Sequence, residues 1–368
     1  METMRLFTPG PVPIEKHLLA IGHRQPPYNR TEAFSKSTAE ILHGLKYVFQ
    51  TEGNVALLTG SGTAAMEAAV LNYLDITDKV LIINGGTFGQ RWCDLCDVHS
   101  ISYDEIEVPL GKDIDLNLLN DLLRKNQYTA LLINAHETST GHLYDIQSIG
   151  AITRQHDVLF VVDAISTICA DPFFMDEWHV DVALLSSQKA LALPPGLSFV
   201  AMNERAMDRL AMREPKSLYL NLSRYLNNQK RGQLPYTPAI GVMLQLHQRL
   251  LDIQNETIAV SVTKHHERAK FFRAAINGLA FSNAPFRPSS ALTALICHDL
   301  DATELVHELA SKHGIIVAPS GGHLKSKLVR ISHMGAQKET DIEYLVAALS
   351  KGKSPQVSLS QSTQLTEV

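Results

Sequence analysis

Short apolar runs recur along the first two-thirds of this 368-residue chain, and stretches with helical periodicity separate them. Each run is followed by a polar or glycine-containing segment. Continuous apolar runs of this length are typical of strands that are buried on both faces of a parallel sheet. The runs cover residues 55–58, 79–83, 130–133, 158–162 and 182–185.

Helical periodicity appears between these runs, for example over residues 64–74 and 146–155. Repetition of strand, helix and strand predicts an α/β fold with a mostly parallel sheet and right-handed crossovers. Ligands of such sheets bind at the carboxyl ends of the strands. We therefore expect functional residues directly after the apolar runs.

A chain of this length predicts a large domain and a smaller one. The second part indicates a small α+β domain, with a long helix followed by strands and capped helices. We expect an N-terminal arm (1–20), a large domain (21–255), a small C-terminal domain (256–351) and a polar tail (352–368) that its composition predicts to be disordered. The expected helices cover 249–279, 301–310 and 341–349, and the expected strands cover 293–297 and 314–318.

Composition and charge exclude several classes of partner. The formal net charge is −5, so there is no electrostatic reason to expect nucleic acid or an anionic membrane. No apolar run approaches the length of roughly 18 residues that a membrane span needs. The first residues lack the apolar core of a signal peptide. These observations predict a soluble, cytoplasmic protein.

Cys93 and Cys96 form a Cys-x-x-Cys pattern that invites a zinc or redox interpretation. No second cysteine pair completes a four-ligand site, and the surrounding residues 89–96 resemble the opening of a helix. Free cysteine behaves as a small hydrophobic residue. We therefore expect two reduced thiols on one helical face and no metal.

Two opposite charges follow two successive strands. Asp163 ends the run 158–162, and Lys189 comes shortly after the run 182–185. A carboxylate at the end of a buried strand needs a cationic partner, and a desolvated lysine can become a nucleophile toward an aldehyde. Taken singly, Asp163 could cap a helix and Lys189 could be a solvated surface residue. Together they indicate a site at one edge of the sheet.

A glycine-containing loop lies between the first apolar run and the helix that follows it. Gly60 and Gly62 relax the backbone, while Ser61 and Thr63 present hydroxyls at the start of the helix. Free N–H groups at a helix N-terminus bind phosphate. The motif is weak by itself, and it lacks the lysine of a Walker A loop and the spacing of a dinucleotide fingerprint.

A phosphate cup, a carboxylate and a reactive lysine are the parts that pyridoxal 5′-phosphate (PLP) chemistry requires. The chain resembles the class V aminotransferases of PLP fold type I, which include alanine–glyoxylate, serine–pyruvate and 2-aminoethylphosphonate–pyruvate transaminases. The motifs that carry the resemblance are Thr-Pro-Gly-Pro (8–11), Gly-Ser-Gly-Thr-Ala-Ala-Met-Glu-Ala (60–68), Asn-Gly-Gly-Thr-Phe-Gly-Gln-Arg (84–91), His-Glu-Thr-Ser-Thr-Gly (136–141), Val-Asp-Ala-Ile-Ser (162–166), Ser-Ser-Gln-Lys (186–189) and Arg-Ile-Ser-His-Met-Gly (330–335).

The resemblance implies a role for each matching cofactor residue. Lys189 is expected to hold PLP as a Schiff base and to act as the catalytic base, and Asp163 is expected to pair with the pyridinium nitrogen. The phosphate is assigned to Ser61, Gly62, Thr63 and Gln188, with Thr237 reaching the phosphate of a neighbouring subunit. Phe88 matches the residue that stacks on the pyridine ring, and Thr138 matches the residue that hydrogen-bonds the phenolic oxygen.

The resemblance also implies substrate contacts and partners. Arg330 matches an arginine that clamps the substrate carboxylate with its two-pronged guanidinium, and Gly10 is assigned to the substrate side of the site. A shared site implies a homodimer. The implied activity is transfer of an amino group from a small donor, such as alanine, serine or 2-aminoethylphosphonate, to a 2-oxo acid such as pyruvate or glyoxylate.

One segment departs from the family pattern. Relatives often carry His-Arg-Ser/Thr-Pro-Glu-Phe near the substrate mouth, and the matching residues 29–34 here read Asn-Arg-Thr-Glu-Ala-Phe. The departure leaves the substrate open. Arg24 and Arg30 could bind a second anionic group, although two exposed arginines are the simpler interpretation.

The sequence argues against three other functions. A PLP-dependent lyase of the cysteine desulfurase type needs a reactive cysteine ahead of Arg330, and residues 319–327 contain none. A non-catalytic PLP-fold binding protein would lack Lys189 or carry a DNA-binding module. A nicotinamide oxidoreductase would need Gly-x-Gly-x-x-Gly after the first strand.

Overall fold

The computed structural model describes residues 4–284, 286–298 and 300–351, so the tail predicted to be disordered lies outside the described residues. The described chain contains a seven-stranded sheet, a four-stranded sheet and two two-stranded pairs. In chain order the strands are β1 (Arg5–Leu6), β2 (Asn54–Thr59), β3 (Lys79–Asn84), β4 (Ser102–Glu107), β5 (Ala130–Asn134), β6 (His136–Glu137), β7 (His142–Leu143), β8 (Leu159–Asp163), β9 (Val182–Ser186), β10 (Leu197–Met202), β11 (Phe281–Asn283), β12 (Leu292–Cys297), β13 (Ile315–Ile316), β14 (Ala318–Pro319) and β15 (Leu328–Ser332).

Helices pack against strands of both sheets. They are α1 (Lys16–Gly22), α2 (Glu32–Phe49), α3 (Gly62–Tyr73), α4 (Thr87–Val98), α5 (Leu116–Lys125), α6 (Ile146–Gln155), α7 (Glu204–Ala211), α8 (Leu222–Gln229), α9 (Ile240–Glu256), α10 (Ile258–Ala275), α11 (Ala302–His313) and α12 (Glu339–Lys351), with a short 3₁₀ helix at Gly322–Leu324.

The large sheet has the strand order β2-β10-β9-β8-β5-β3-β4. All pairs from β9 to β4 are parallel, whereas β10 is antiparallel to both β2 and β9. Every residue of β5, β8 and β9 is buried, which is why these strands read as continuous apolar runs. The five predicted strands are confirmed as β2, β3, β5, β8 and β9. The edge strand β4 has no apolar run because it is partly exposed along its length.

The prediction of one continuous helix over residues 249–279 is wrong. Two helices, α9 and α10, meet at Thr257, whose φ of 72° is outside the helical region. The Thr257 hydroxyl accepts a hydrogen bond from Val260 N (3.4 Å), so this residue both ends α9 and caps α10. Ile258 N also donates to the Tyr47 hydroxyl (3.1 Å). A tertiary contact thus replaces a helical one at the break.

The smaller sheet has the order β11-β12-β15-β14, and all of its pairs are antiparallel. It has its own hydrophobic core, which includes Phe272 and Leu345. Phe7, which directly follows β1, packs in this core because β1 pairs with β13. The expected strand at 314–318 is divided between β13 and β14. The domain boundaries inferred from the sequence stay a prediction.

Helix α4 carries the Cys-x-x-Cys pattern, as the sequence predicted. Cys93 and Cys96 are both buried and free. Burial raises the pKa of each thiol to about 12, so both are protonated at neutral pH. Among the described residues, no group of three or more His, Cys, Asp or Glu side chains has the arrangement of a metal site.

In the described part of the chain, none of the helices has the length and apolar character needed to cross a bilayer. The cytoplasmic location stays a prediction.

Candidate active site

Asp163 and Asn134 end two adjacent strands at the carboxyl edge of the large sheet. They are paired in register on β8 and β5, and Asn134 Nδ2 donates to Asp163 Oδ2 over 2.7 Å. Ile165 N donates to the other carboxylate oxygen over 2.9 Å. Burial raises the pKa of Asp163 to about 6, although the Ile165 N–H and the charge of Lys189 act in the opposite direction. Both of these donors are neutral groups, so the buried carboxylate suits a protonated ring nitrogen.

Lys189 follows β9 and turns back toward the N-terminal segment. Its Nζ donates to the carbonyl oxygen of Pro9 over 2.7 Å. Burial lowers the pKa of Lys189 to about 8, with Asp163 opposing this shift and Arg330 and Arg91 adding to it. An amine with this pKa is partly neutral near physiological pH, as a nucleophile toward an aldehyde must be.

Gly10 is placed directly against the lysine side chain. A Cβ at this position would lie 2.8 Å from Lys189 Cδ and 3.0 Å from Nζ. The φ angle of Gly10 is +137°, which side chains other than glycine rarely adopt. The peptide bond between Gly10 and Pro11 is cis. The Thr-Pro-Gly-Pro segment thus forms one wall of the lysine pocket.

The proposed phosphate cup lies at the start of α3. Ser61 is the N-cap residue, yet its hydroxyl makes no hydrogen bond to the helix. Gly62 is packed so closely that a Cβ would lie 2.5 Å from Ile165 Cδ1. The Thr63 hydroxyl accepts a hydrogen bond from Arg91 Nη1 over 3.2 Å. This helix start presents N–H groups, a hydroxyl and a nearby guanidinium, which together suit a phosphate.

Gln188 and Thr237 occupy different surroundings around this cup. Gln188 Oε1 accepts a hydrogen bond from Ser186 Oγ over 2.6 Å, which orients its amide beside Lys189. Thr237 is exposed in the loop before α9. That loop is attached to the end of β2, because Ala239 N donates to Thr59 Oγ1 over 3.1 Å.

Phe88 lies in the first turn of α4, half-buried. The guanidinium carbon of Arg91 is 4.8 Å from the centroid of the Phe88 ring. Thr138 directly follows β6 and Ser166 follows β8, and their hydroxyl oxygens are 2.7 Å apart. The ring and these hydroxyls belong to segments that follow β3, β5 and β8, so the sheet edge brings them together.

Arg330 reaches the site from β15 of the smaller sheet. Its Nε and Nη2 both donate to the carbonyl oxygen of Pro319, over 3.1 and 2.8 Å. Its Nη1 donates to the carbonyl oxygen of Thr138 over 3.3 Å. Burial lowers the pKa of Arg330, and Glu137 opposes this shift. These carbonyls fix the plane of the guanidinium and link the two sheets.

A cleft of about 670 Å³ opens between the start of α4 and residues 320–324 of the smaller-sheet region. Thr87, Arg91 and Ser139 line one side, and Ser320 and His323 line the other. Arg24 and Arg30 are both exposed. Arg30 lines a different surface cleft of about 570 Å³, together with Arg224 and Arg231.

Several residues around the site were not singled out from the sequence. Asn134 carried a signal, because it is a polar residue at the end of an apolar run on the strand next to β8. His136 is buried, and burial lowers its pKa to about 3, so its imidazole is neutral. Glu137 and Arg91 lie inside the motifs 136–141 and 84–91, but their contacts depend on how the segments pack. No local pattern shows those contacts.

The residues at this edge fit PLP. The start of α3 offers helix N–H groups and a Ser61 hydroxyl that does not bond to its own helix, Asp163 offers an acceptor, and Lys189 offers an amine whose pKa is lowered. Two further polar atoms, Asn134 Oδ1 and His136 Nε2, are buried without a hydrogen-bond partner in the described structure. Buried polar atoms of this kind are normally satisfied, which is consistent with a polar ligand beside them.

The fold and the site together define a PLP-dependent transferase of fold type I. The family described as aminotransferase class-V matches residues 15–345. The chain belongs to this family, and it is a PLP-dependent aminotransferase.

Three similar proteins illustrate the range of the family. A "soluble hydrogenase, small subunit" from Synechococcus sp. (strain PCC 6716) is 31% identical, with 94% of this chain and 91% of the relative covered. The L-aspartate–glyoxylate aminotransferase of Paracoccus denitrificans is 28% identical, with 90% and 86% covered. The crystal structure of an alanine–glyoxylate aminotransferase from Nostoc sp. has a TM-score of 0.91 and 27% identity, with 95% of each chain covered. The names of these three proteins differ in activity, so the similarity does not define the substrate of this chain.

Proposed function

We propose that this enzyme moves an amino group from a small amino donor to a 2-oxo acid, with Lys189 as the catalytic base. The donor class is alanine, serine or 2-aminoethylphosphonate, and the acceptor is pyruvate or glyoxylate. The observation that carries the proposal is the Lys189 amine, whose pKa is lowered to about 8 by burial, beside the Asp163 carboxylate. Glyoxylate is favoured because it is named for both the Paracoccus and the Nostoc enzymes.

The site residues divide the work of binding and proton transfer. When bound, PLP supplies an electron sink for the negative charge that develops at the donor Cα. Ser61, Gly62, Thr63 and Gln188 would hold its phosphate, Phe88 would stack on its ring, and Thr138 would bind its phenolic oxygen.

Asp163 would hold the proton of the ring nitrogen, and Lys189 would remove the proton from the donor Cα. A base with a pKa near the working pH is suited to this transfer. Arg330 would bind the donor carboxylate, since two of its nitrogens are already oriented by Pro319. Gly10 would leave space for the lysine and the donor.

We infer a homodimer with shared sites. Thr237 is exposed in this chain, and Tyr236 beside it stacks on Tyr219 with ring centroids 5.0 Å apart. Leu218 and Tyr219 are 68% and 42% exposed and both contact Tyr236, so an exposed apolar surface lies near Thr237. Such surfaces mark protein contacts. Sedimentation should show a dimer, and Thr237→Ala should weaken PLP binding while leaving the dimer intact.

A cysteine desulfurase-type lyase is disfavoured by the cysteines themselves. Cys297 lies inside β12, and burial raises its pKa to about 11. The loop ahead of Arg330 contains no cysteine. A thiol held in the protonated form inside a strand is a poor nucleophile.

A half-reaction assay tests the proposed function. The purified holoenzyme is mixed with alanine, serine, aspartate or 2-aminoethylphosphonate, one at a time, and its visible absorption is recorded. One or more of the proposed donors should convert the aldehyde form of the cofactor to its amine form, and glyoxylate should reverse the change. Lys189→Ala should bind donor without this conversion. If no donor converts the cofactor, the proposed transamination is wrong.

A further inference from the structure

We propose that Glu137 is a positioning residue, whose buried carboxylate holds the first turn of α4 so that the Phe88 ring lies correctly against PLP. The inference rests on the proposed function only in assuming that Phe88 faces the cofactor. It adds a residue that acts through Phe88 rather than by touching the cofactor.

The Glu137 carboxylate receives hydrogen bonds from the backbone at the start of α4. Phe88 N donates to Oε1 over 3.3 Å, and Gly89 N donates to Oε2 over 2.8 Å. Ser139 N also donates to Oε1 over 3.1 Å. Only 1% of the Glu137 surface is exposed. Because charge-assisted bonds are stronger in a buried setting, this contact restrains the turn that carries Phe88.

The N-terminal N–H groups of α4 are capped by side chains from another segment of the chain. Gly86, the N-cap residue, has no side chain, so it cannot supply an acceptor to its own helix. The acceptors come instead from the β6 segment: Glu137 binds Phe88 and Gly89, and Ser139 Oγ accepts from Thr87 N over 3.0 Å. A cap from another element fixes the helix relative to that element, not merely its internal geometry.

Residues 137–139 also hydrogen-bond the proposed substrate arginine, Arg330. The carbonyl oxygen of Thr138, between Glu137 and Ser139, accepts a hydrogen bond from Arg330 Nη1. The carbonyl oxygen of Ser139 accepts a hydrogen bond from Ser320 Oγ over 2.6 Å. Residues 137–139 therefore set the position of Phe88 on one side and of Arg330 on the other. The Glu137 carboxylate is the part of this arrangement directed at Phe88.

The close packing makes the carboxylate difficult to replace. A Cβ at Gly86 would lie 3.0 Å from both Cγ and Cδ of Glu137. Both carboxylate oxygens accept from N–H groups. In Glu137→Gln the size is kept, but one oxygen becomes an NH₂ group that faces another donor, so one contact is lost.

The test compares four holoproteins: wild type, Glu137→Gln, Phe88→Ala and the double variant. The readouts are the dissociation constant of PLP and the visible circular dichroism of the bound cofactor, which reports its orientation. Neither readout needs turnover, so the result stands even if the proposed donors are wrong. We expect Glu137→Gln to weaken PLP binding about tenfold and to change the visible dichroism. In the Phe88→Ala background the same substitution should weaken binding less than about twofold, because coupled residues are non-additive.

Asp181→Asn is the matched control. Asp181 is also a buried carboxylate, and it accepts from Phe160 N over 2.8 Å at the opposite edge of the same sheet. It should lower thermal stability without changing the dichroism of the cofactor. If Glu137→Gln behaves like Asp181→Asn, or if its effect is the same with and without Phe88, the positioning role is overturned.

A second variant covers the case in which Glu137→Gln does not fold. Ser139→Ala keeps the carboxylate and its bonds to Phe88 N and Gly89 N. It removes the acceptor for Thr87 N and the hydroxyl that donates to Glu137 Oε1. It should produce a smaller dichroism change in the same direction, again dependent on Phe88. An unchanged spectrum in folded Ser139→Ala, with PLP bound as tightly as in wild type, would also overturn the proposal.

Discussion

Asn134 and Asp163 are side-by-side neighbours at the ends of β5 and β8, and the Asn134 amide donates to the Asp163 carboxylate over 2.7 Å. This contact and the Ile165 N–H only partly compensate for the burial of the charge, because the pKa of Asp163 is still raised to about 6. Without PLP, the ionised Asp163 carboxylate therefore lowers the free energy of unfolding of the protein.

The first prediction concerns Asp163→Asn in the apoprotein. The folded-state pKa of Asp163 is above its unfolded value, so the protonated form favours folding and the free energy of unfolding falls as pH rises through about 4 to 6. The substitution should remove this decline and stabilise the apoprotein at pH 7 by about 1–3 kcal/mol. Urea unfolding between pH 4 and 8 measures it. An unchanged pH slope would contradict the prediction. With PLP, the variant should lose about 10²-fold or more in rate.

The second prediction concerns the titration of Lys189. Its pKa of about 8 means that the fraction of neutral amine rises with pH up to that value and then levels off. The rate at which apoprotein takes up PLP should therefore rise about tenfold per pH unit below the inflection and plateau above it. Stopped-flow absorbance measures this rate. An inflection near the ordinary lysine value would show that burial does not activate the amine.

The third prediction concerns Gly10→Ala. The new Cβ would meet Lys189 Cδ at 2.8 Å, and alanine would be strained at a φ of +137°. We expect a loss of about 1–3 kcal/mol in stability and slower PLP uptake, because the lysine must move. Thermal unfolding and uptake kinetics measure these effects. Gly241→Ala is the control, since no other described atom outside the adjoining helix backbone lies within 4 Å of the added Cβ. Equal behaviour of the two variants would argue against a close approach at Gly10.

The fourth prediction concerns Arg330→Lys. Lysine keeps the charge but cannot make the oriented contacts to Pro319 and Thr138. The KM for the amino donor should rise about tenfold to a hundredfold, whereas PLP affinity should change little. Steady-state kinetics and PLP titration separate the two effects. Arg205→Lys, at the far edge of the sheet beside Asp181, should leave the KM unchanged. A change in kcat alone would place Arg330 elsewhere in the reaction.

Local pattern was sufficient for the strands buried on both faces, since four consecutive apolar residues in each of β5, β8 and β9 leave few alternatives. Local pattern was insufficient where a strand is partly exposed or where a tertiary contact ends a helix. The edge strand β4 has no apolar run, and the separation of α9 from α10 depends on the backbone of Thr257 and on the Tyr47 hydroxyl. Periodicity averages over several residues, so a change at one residue is invisible to it.

The sequence by itself determined the α/β architecture and the placement of Asp163 and Lys189 at one sheet edge, because parallel strands deliver their carboxyl ends to the same side. Tertiary structure alone decided the contacts among segments distant in the chain: Lys189 with Pro9, Arg330 with Thr138, and Glu137 with the start of α4. Those hydrogen bonds depend on distance and direction between side chains and backbone, and only the packed chain defines them.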